Sequence, residues 1–488
     1  MRIHFIGICG TGMGALALAC RARGDEVRGS DTAAYPPMGD ALAAGGIHVT
    51  LGFAAANLAW GPEVVVVGNV CRKDNPEARA AIDGGLRYTS FPAALADELI
   101  GTRHSVVVAG THGKTTTTAL LARLLDGAGR APGFLIGGVV RDFPLSCRPA
   151  GGDVFVVEGD EYDTAFFDKR PKFVHYRART LLLTSIEYDH ADIYDGLDAV
   201  VAAFAGLCAA VPAAGIGGGG GGKIFAAVGT SGDASRARAL AGARAPVERY
   251  GAGEAAAAAG ARWVAQRVAP GGPRFVVSRD GVPVAGAFET PLHGEHNLLN
   301  ACGALAAALS LGVPAAAARA ALAGFQGIKR RQEELGAPGG VTVVDDFAHH
   351  PTAVRETVAA LRERYGEERR LWVLFEPRTQ TSRRRVFQKD YAAAFDRADR
   401  VVVAGAYGVE ALPEADRFSP AELAGDLAAR GRWAVHEPDV ERIVALVAAE
   451  ARAGDVVAVF SNGGFGGIHG KLLAALEESH APAPENAR

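Results

Sequence analysis

Short runs of β-branched residues alternate with longer segments rich in alanine and leucine along almost the whole chain. The short runs have the length and composition of buried strands, and the longer segments have the composition and length of helices. This alternation is typical of βα units, in which helices connect neighbouring parallel strands. The sequence therefore predicts an α/β protein built on parallel sheets.

Composition narrows the possible classes of function. The chain has 488 residues, enough for about three domains, and its 49% apolar and 22% charged residues are typical of globular proteins. A net charge of -3 provides no electrostatic basis for binding nucleic acid or an anionic membrane. The six cysteines are scattered without a CxxC pair, and no run is long and apolar enough to span a bilayer. We expect a cytoplasmic protein that acts on small molecules.

The alternation falls into three series, which predict three domains. Residues 1–103 form a Rossmann-like domain, residues 104–332 a larger central domain, and residues 333–488 a second Rossmann-like domain. A glycine run at 217–222 and an alanine tract at 255–259 are interpreted as loops, and the tail after residue 479 as frayed. The predicted strands span residues 2–8, 47–51, 63–68, 104–109, 153–158, 180–186, 262–268, 274–278, 284–288, 341–345, 371–375, 400–403 and 456–460.

The most specific motif lies between the predicted strand at 104–109 and a predicted helix at 114–128. Its two glycines let backbone N–H groups turn towards an anion, Lys114 supplies a full positive charge, and the Thr115 hydroxyl can bind magnesium. Val108 stands where the usual GxxxxGK[ST] pattern has its first glycine, so a structural turn is the alternative. We interpret the motif as an exposed phosphate loop in a P-loop ATPase-like domain. It consists of Gly110, Thr111, His112, Gly113, Lys114, Thr115 and Thr116.

Acidic residues follow two predicted buried strands of the central domain. Glu158 ends the strand at 153–158 and is placed to hold a metal, whereas Asp160 and Glu161 taken alone fit a solvated loop. His190 follows the strand at 180–186, at the edge of the sheet where α/β proteins bind ligands. A single histidine is more often structural, so composition by itself leaves both roles open for His190.

A second glycine motif, at residues 7–14, follows the first predicted strand, and Ser30 and Asp31 follow the next one. Two ligands fit this pattern: a nicotinamide cofactor with Asp31 on a ribose, or another diphosphate such as a nucleotide sugar. The phosphate loop of the central domain favours the nucleotide sugar, because a dehydrogenase does not need ATP.

These motifs together resemble the Mur ligase family over essentially residues 1–478. The segments that carry this resemblance are 110–116, 294–300, 330–331 and 345–351. The segments 1–14, 35–38, 166–176 and 461–469 are most similar to the branch that attaches a tripeptide. Other branches use a carbamylated lysine after the histidine motif, but no lysine lies between Ala191 and Gly222.

The resemblance implies a three-domain ligase that uses ATP and Mg²⁺. It would join UDP-N-acetylmuramate to L-alanyl-γ-D-glutamyl-meso-diaminopimelate through an acyl phosphate, in peptidoglycan recycling, without nucleic acid or membrane partners. The alternatives are the L-alanine-adding branch of the family, a nicotinamide dehydrogenase and a nucleotide-regulated binding protein without turnover.

The resemblance also implies roles for individual residues. Lys114 would hold the ATP phosphates and act in catalysis with Glu158 and His190, while Thr115, Glu158 and His190 would hold magnesium. The remaining ATP contacts would be Asn297 to the adenine, Arg331 to the phosphates and Asp346 to the ribose. The UDP-sugar would be held by Gly10, Thr11, Gly12, Met13, Ser30, Asp31 and Asn69.

A planar guanidinium can bind a peptide carboxylate through two hydrogen bonds. Arg378 carries such a group and follows the predicted strand at 371–375. We expect it to bind the peptide together with the turn Ser461, Asn462, Gly463, Gly464 and Phe465. A salt-bridged surface arginine and an ordinary glycine loop are the alternative.

Overall fold

The computed structural model describes residues 1–213 and 221–479. The chain folds into two compact units, which are described one after the other. Unit 1 comprises Met1–Tyr188, Ile193–Pro291 and Asn297–Gln326. Unit 2 comprises Asp189–Asp192, Leu292–His296 and Gly327–Arg488.

Unit 1 begins with a five-stranded parallel sheet in the order β3-β2-β1-β4-β5. The first predicted strand, at 2–8, ends earlier than expected because Gly7 turns the chain with a φ of 82°. The strands are β1 (Arg2–Ile6), β2 (Glu26–Asp31), β3 (His48–Leu51), β4 (Val64–Val67) and β5 (Tyr88–Ser90). The helices are α1 (Thr11–Arg23), α2 (Met38–Ala44), α3 (Pro76–Asp83) and α4 (Phe91–Ala94).

The second sheet of unit 1 has 11 strands, and β10 and β11 form a separate hairpin. Its order is β17-β16-β15-β14-β13-β12-β6-β9-β7-β8, with β18 beside β16. The strands are β6 (His104–Ala109), β7 (Gly133–Leu135), β8 (Cys147–Arg148), β9 (Val154–Gly159), β10 (Asp163–Ala165), β11 (Asp168–Pro171), β12 (Thr180–Leu183), β13 (Lys223–Ala227), β14 (Val247–Ala252), β15 (Trp263–Arg267), β16 (Arg274–Arg279), β17 (Val282–Pro283) and β18 (Phe288–Glu289). The helices are α5 (Lys114–Gly127), α6 (Leu197–Ala210), α7 (Asp233–Leu240), α8 (Gly253–Ala258), α9 (Glu295–Ser310, whose first two residues count with unit 2) and α10 (Ala315–Ala323).

The region around residues 212–260 differs from the sequence prediction. The alanine tract at 255–259, predicted as a loop, is mostly helix α8, because alanine is a strong helix former. The buried strand β13 and its neighbour β14 were not predicted; each is short and follows glycine- or alanine-rich sequence. Most of the glycine run at 217–222 and all of the tail beyond Ser479 lie outside the described residues.

Unit 2 contains a six-stranded sheet in the order β19-β20-β24-β21-β22-β23. Only the edge strand β19 is antiparallel to its neighbour. The strands are β19 (Glu333–Gly336), β20 (Thr342–Asp346), β21 (Leu371–Phe375), β22 (Arg400–Val403), β23 (Trp433–His436) and β24 (Val456–Phe460). The helices are α11 (Pro351–Tyr365), α12 (Gln388–Ala394), α13 (Pro420–Ala429), α14 (Val440–Glu450) and α15 (Ile468–Ser479).

The predicted α/β class is confirmed, since all three large sheets are wholly or largely parallel and flanked by helices. Each sheet buries apolar side chains against its helices, as Val64–Val67 and Leu371–Phe375 illustrate. Over the described residues, no helix combines the length and the apolar character needed to cross a bilayer. The predicted boundaries after residues 103 and 332 stay predictions.

Candidate active site

The predicted phosphate loop connects β6 to α5 and depends on its two glycines. Gly110 and Gly113 have φ values of 141° and 79°, which favour glycine. A Cβ atom on Gly110 would lie 2.1 Å from the Thr184 hydroxyl, and one on Gly113 would lie 2.4 Å from Oδ1 of Asn300. Any larger residue would therefore displace the backbone of this loop.

The segment that follows β12 fixes the shape of the loop. The backbone N–H of Thr111 donates to Ser185 O at 2.8 Å, and that of His112 donates to Ser185 Oγ at 2.8 Å. The Thr184 hydroxyl donates to His112 O at 2.6 Å. Residues 184–186, predicted as the end of a strand, thus leave the sheet because their polar groups bond to the loop.

The N-terminus of α5 is arranged to bind an anion. No described side chain caps it at Gly113, and the first helical bond runs from Thr117 N–H to Gly113 O at 2.9 Å. The N–H groups of Lys114, Thr115 and Thr116 lie in the first turn, where a helix has no internal acceptor and carries partial positive charge. This end of α5 can therefore hold a phosphate group.

Lys114 lies in a buried ion pair, so the prediction that it is exposed was wrong. Its Nζ is 3.0 Å from Oε2 of Glu161, with 12% and 2% of the two side chains exposed, and it donates to Gly110 O at 2.6 Å. Glu161 was predicted to fit a solvated loop, but its side chain is buried. Burial lowers the pKa of Lys114, but the carboxylates of Glu161, Asp160 and Glu158 outweigh it and raise that pKa above its ordinary value.

Two predicted metal ligands of unit 1 lie side by side. The Thr115 hydroxyl donates to Oε1 of Glu158 at 2.9 Å, and the Gly137 N–H donates to Oε2 at 2.8 Å. Burial raises the pKa of Glu158, and the charge of Lys114 opposes part of this rise. A hydroxyl and a carboxylate are hard oxygen donors, so this pair fits Mg²⁺.

The third predicted ligand, His190, belongs to unit 2. It has a φ of 57°, and its N–H donates to Oδ1 of Asp189 at 2.7 Å. Burial would raise the pKa of Asp189, but its interactions with His349 and His190 hold that pKa well below its usual range. Asp189 is thus a buried negative charge that fixes the backbone at His190.

Asn297 lies on α9 and is linked to the phosphate-loop helix through Asn300. Asn300 Nδ2 donates to Oδ1 of Asn297 at 3.2 Å, and the Thr117 hydroxyl donates to Oδ1 of Asn300 at 3.2 Å. Both asparagines are buried. Sequence reasoning missed Asn300, because its partner lies 183 positions away.

The first glycine motif forms the turn between β1 and α1, where Gly10 precedes Thr11, Gly12 and the buried Met13. Asp31 stabilises this turn, since its Oδ2 accepts the Cys9 N–H at 2.8 Å. The hydroxyl of Ser30 is fully buried and donates to Glu77 at 2.8 Å. Asn69 Nδ2 donates to Asp163 at 3.3 Å, which connects the first sheet to the β10 to β11 hairpin.

In unit 2, Asp346 is hydrogen-bonded to the residue that follows Arg331. Oδ2 of Asp346 accepts the Gln332 N–H at 2.8 Å, and its Oδ1 accepts the Ala348 N–H at 2.8 Å. Burial raises the pKa of Asp346, and Arg331 counteracts part of the rise. The Arg331 guanidinium lies 4.9 Å from the ring centroid of Phe347.

The predicted peptide residues of unit 2 come together where β21 and β24 end. Arg378 stacks on Tyr407 at 3.8 Å, lies 3.4 Å from Glu376, and packs so close to Gly463 that a Cβ there would be 2.2 Å from its Nε. Ser461 is fully buried and its hydroxyl donates to Glu376.

The turn after Ser461 places the other predicted peptide residues differently. Oδ1 of Asn462 is buried without a hydrogen-bond partner among the described residues. Gly464 precedes Phe465, whose side chain is buried and packs in the core. Phe465 therefore anchors the turn to the core, and Oδ1 of Asn462 can accept a hydrogen bond.

Comparison with known proteins matches three successive family models. These are "Mur ligase family, catalytic domain" over residues 2–101, "Mur ligase middle domain" over 108–308, and "Mur ligase, glutamate ligase domain" over 330–463. The UDP-N-acetylmuramate:L-alanyl-γ-D-glutamyl-meso-2,6-diaminoheptanedioate ligase of Escherichia coli (strain K12) is 40% identical, covering 98% of this chain and 98% of the relative. The chain belongs to the Mur ligase family.

Similarity to other Mur ligases supports this assignment. The UDP-N-acetylmuramate:L-alanine ligase of Arthrobacter sp. (strain FB24) is 40% identical over 92% of this chain and 90% of its own. The crystal structure of a murein peptide ligase from Psychrobacter arcticus 273-4 is 36% identical, with a TM-score of 0.70, and covers 98% of this chain and 99% of its own. The predicted three-domain Mur ligase architecture is thereby confirmed.

Proposed function

We propose that this Mur ligase joins UDP-N-acetylmuramate to the tripeptide L-alanyl-γ-D-glutamyl-meso-diaminopimelate, with ATP and Mg²⁺. The observation that carries the proposal is the end-to-end similarity to the E. coli enzyme of that name, which leaves almost no part of either chain unmatched. Because the substrates are ATP and a nucleotide sugar, we place the reaction in the cytoplasm, as a step that reuses peptidoglycan fragments.

ATP would bind at the phosphate loop and the residues linked to it. The backbone of Gly110 to Thr116 and the first turn of α5 would hold the phosphates, with the charge of Lys114 beside them. Asn297 would contact the adenine, and Arg331 and Asp346 would contact the phosphates and the ribose. Thr115, Glu158 and His190 would hold Mg²⁺, which supplies positive charge near the transferring phosphoryl group.

The chemistry requires an activated carboxylate, because a carboxylate and an amine do not form an amide readily in water. The γ-phosphoryl group of ATP is transferred to the lactyl carboxylate oxygen, and ADP leaves. The free L-alanyl amine then attacks the acyl carbon, phosphate departs with the former carboxylate oxygen, and the amine loses a proton. Lys114 and the N–H groups of α5 offset the charge on the oxygens, and the loop holds the reactants in position.

The nucleotide sugar would bind at the first sheet. Its diphosphate would meet the turn of Gly10, Thr11, Gly12 and Met13 at the start of α1, and Asn69 would contact the sugar. Asp31 supports this turn by accepting the Cys9 N–H, and the Ser30 carbonyl accepts the N–H groups of Gly7 and Ile8. Thermal stabilisation by UDP-N-acetylmuramate, and none by NADH, would distinguish this ligand from the nicotinamide alternative.

The peptide would bind at Arg378 and the Ser461 to Phe465 turn. A guanidinium held flat against Tyr407 can meet a carboxylate with two parallel hydrogen bonds. In the tripeptide, the carboxylates proposed to meet Arg378 are remote from the attacking amine, whereas the single carboxylate of L-alanine is next to its amine. This is the reason to prefer the tripeptide over alanine, the substrate named for the Arthrobacter relative.

A phosphate-release assay tests the proposed function. With ATP, Mg²⁺ and UDP-N-acetylmuramate, phosphate release should need the tripeptide and should stay near background with L-alanine. Release with L-alanine at an equal rate would assign the enzyme to the alanine-adding branch instead. No release with either amine would favour a nucleotide-regulated binding protein.

Arg378→Ala tests the peptide site. It should weaken use of the tripeptide by roughly 1.5 to 3 kcal/mol in kcat/KM, the range for a charged hydrogen bond, and leave the KM for ATP unchanged. Arg385→Ala is the matched control, because Arg385 belongs to the same segment but pairs with Glu422 at the surface. Equal kinetics for Arg378→Ala and wild type would remove Arg378 from the site.

A further inference from the structure

Glu161 is a buried carboxylate in direct contact with the lysine of the phosphate loop. Its Oε2 and Oε1 lie 3.0 and 3.4 Å from Nζ of Lys114, and 2% of its side chain is exposed. Its backbone is fixed as well, since the Tyr194 hydroxyl donates to Glu161 O at 2.7 Å. The backbone that carries the carboxylate is therefore held in place independently of Lys114.

The ammonium of Lys114 has three hydrogens to donate, and three groups receive them. These are Gly110 O at 2.6 Å, Thr111 O at 3.4 Å and the carboxylate of Glu161. A phosphate oxygen that approaches Nζ must replace one of these acceptors. Only Glu161 carries a negative charge, so it competes electrostatically with the phosphate.

We propose that Glu161 is a positioning residue that acts through Lys114 as a built-in competitor for the nucleotide phosphates. It lowers the affinity of the loop for ATP and ADP, which speeds the release of ADP. The inference rests on the proposed binding of ATP at this loop. Glu161 would thus oppose tight binding of the nucleotide, whereas the residues of the phosphate loop favour it.

Glu161→Gln tests this role, since it removes the charge and preserves the size of the side chain. Removing one member of a buried pair leaves the other without compensation, so Lys114 should bind phosphate more strongly. We expect the Kd for Mg·ADP, measured by calorimetry, to fall about tenfold, which is 1.4 kcal/mol. The KM for ATP should fall with it, and kcat should fall too if ADP release limits turnover.

Asp168→Asn is the matched control. Asp168 belongs to the nearby β10 to β11 hairpin and pairs with Arg170, whose side chain is 67% exposed. Its loss removes one negative charge from the same region without touching Lys114, and the Kd for Mg·ADP should stay within about twofold of wild type.

An unchanged or raised Kd in folded Glu161→Gln would overturn the inference, because a carboxylate that only supported the loop would lose affinity when removed. If Glu161→Gln does not fold, Glu161→Asp decides, since it keeps the charge but withdraws it from Lys114. That variant should also bind Mg·ADP more tightly, and an equal or weaker affinity would overturn the inference. Failure of the wild-type enzyme to bind Mg·ADP would instead reject the proposed function.

Discussion

At the scale of single residues, the groups proposed to act in catalysis are also partners in the packed structure. Lys114 shares a buried ion pair with Glu161, and Glu158 accepts hydrogen bonds from both Thr115 and the backbone of Gly137. A substitution at such a residue changes both the chemistry and the stability. The effects on chemistry and on stability can be separated by comparing a variant that removes one partner with a variant that replaces both.

Lys114 shows how this separation can be made. Lys114→Ala should lower the free energy of unfolding by about 3 to 5 kcal/mol, because it leaves Glu161 buried without a counter-ion. The double variant Lys114→Met with Glu161→Gln should recover most of that loss and still ligate two to three decades more slowly than wild type. Calorimetric melting and phosphate release measure the two quantities. Normal turnover in the double variant would contradict a role for Lys114 in binding phosphate.

A pH-dependent contribution to stability comes from Glu77, which lies on α3 and is completely buried. It accepts hydrogen bonds from His4, from Ser30 at 2.8 Å and from Asn57 at 2.7 Å. Burial raises its pKa, but these bonds outweigh burial and lower that pKa below its ordinary value. The carboxylate therefore stabilises the folded chain above about pH 4.3, and this stabilisation is lost as the pH falls through the folded pKa.

Glu77→Gln should therefore melt at a lower temperature than wild type at pH 7, and the difference should shrink as the pH falls below about 4.3. The surface variant Glu26→Gln is the control. Glu26 pairs with Arg28 while 49% of its side chain is exposed, so its loss should matter little at any pH. A gap between wild type and Glu77→Gln that stays constant with pH would show that folding does not shift the pKa of Glu77.

Sequence spacing reveals only some of these residues. Glu158 was predicted because it ends a buried strand, and it lies beside Thr115 as expected of neighbouring parallel strands. Glu161 was misjudged because the contact with Lys114 joins two loops 47 positions apart. The buried network around Glu77 was missed because a glutamate in a helix sequence is usually exposed.

At the scale of helices and strands, apolar runs predicted their elements correctly, whereas segments rich in alanine and glycine did not. The buried strands β6 and β21 have the predicted bounds, since β21 is wholly apolar and the last four residues of β6 are apolar. β13 and α8 were missed because alanine and glycine give little periodic contrast. Small residues can instead allow close packing between elements.

Gly303 on α9 tests this close packing. Alanine normally stabilises a helix by about 1 kcal/mol relative to glycine. A Cβ on Gly303 would lie 2.7 Å from the ring of the fully buried Tyr250, and overpacking of that kind costs about 1 to 3 kcal/mol. Gly303→Ala should therefore lower the melting temperature. Gly206→Ala on α6 should raise it slightly, because nothing lies within 4 Å of a Cβ there; a rise in both would show that α9 and β14 are less tightly packed.

At the scale of the whole molecule, three α/β sheets carry three groups of polar residues, each next to the ends of parallel strands. The α/β class followed from the alternation of strands and helices, and the three-domain architecture from motifs that resemble those of Mur ligases. Substrate choice could not be derived from either, because the residues proposed to contact the peptide lie in loops after β21 and β24. These loops follow no periodic pattern.

Isotope transfer measures the central claim most directly. UDP-N-acetylmuramate labelled with ¹⁸O in its lactyl carboxylate is incubated with ATP, Mg²⁺, the enzyme and either tripeptide or L-alanine, and the products are identified by mass spectrometry. The proposed reaction predicts UDP-N-acetylmuramoyl-tripeptide, with one ¹⁸O atom in each phosphate released. Unlabelled phosphate would contradict the acyl phosphate, and an equal yield of the alanine product would contradict the choice of tripeptide.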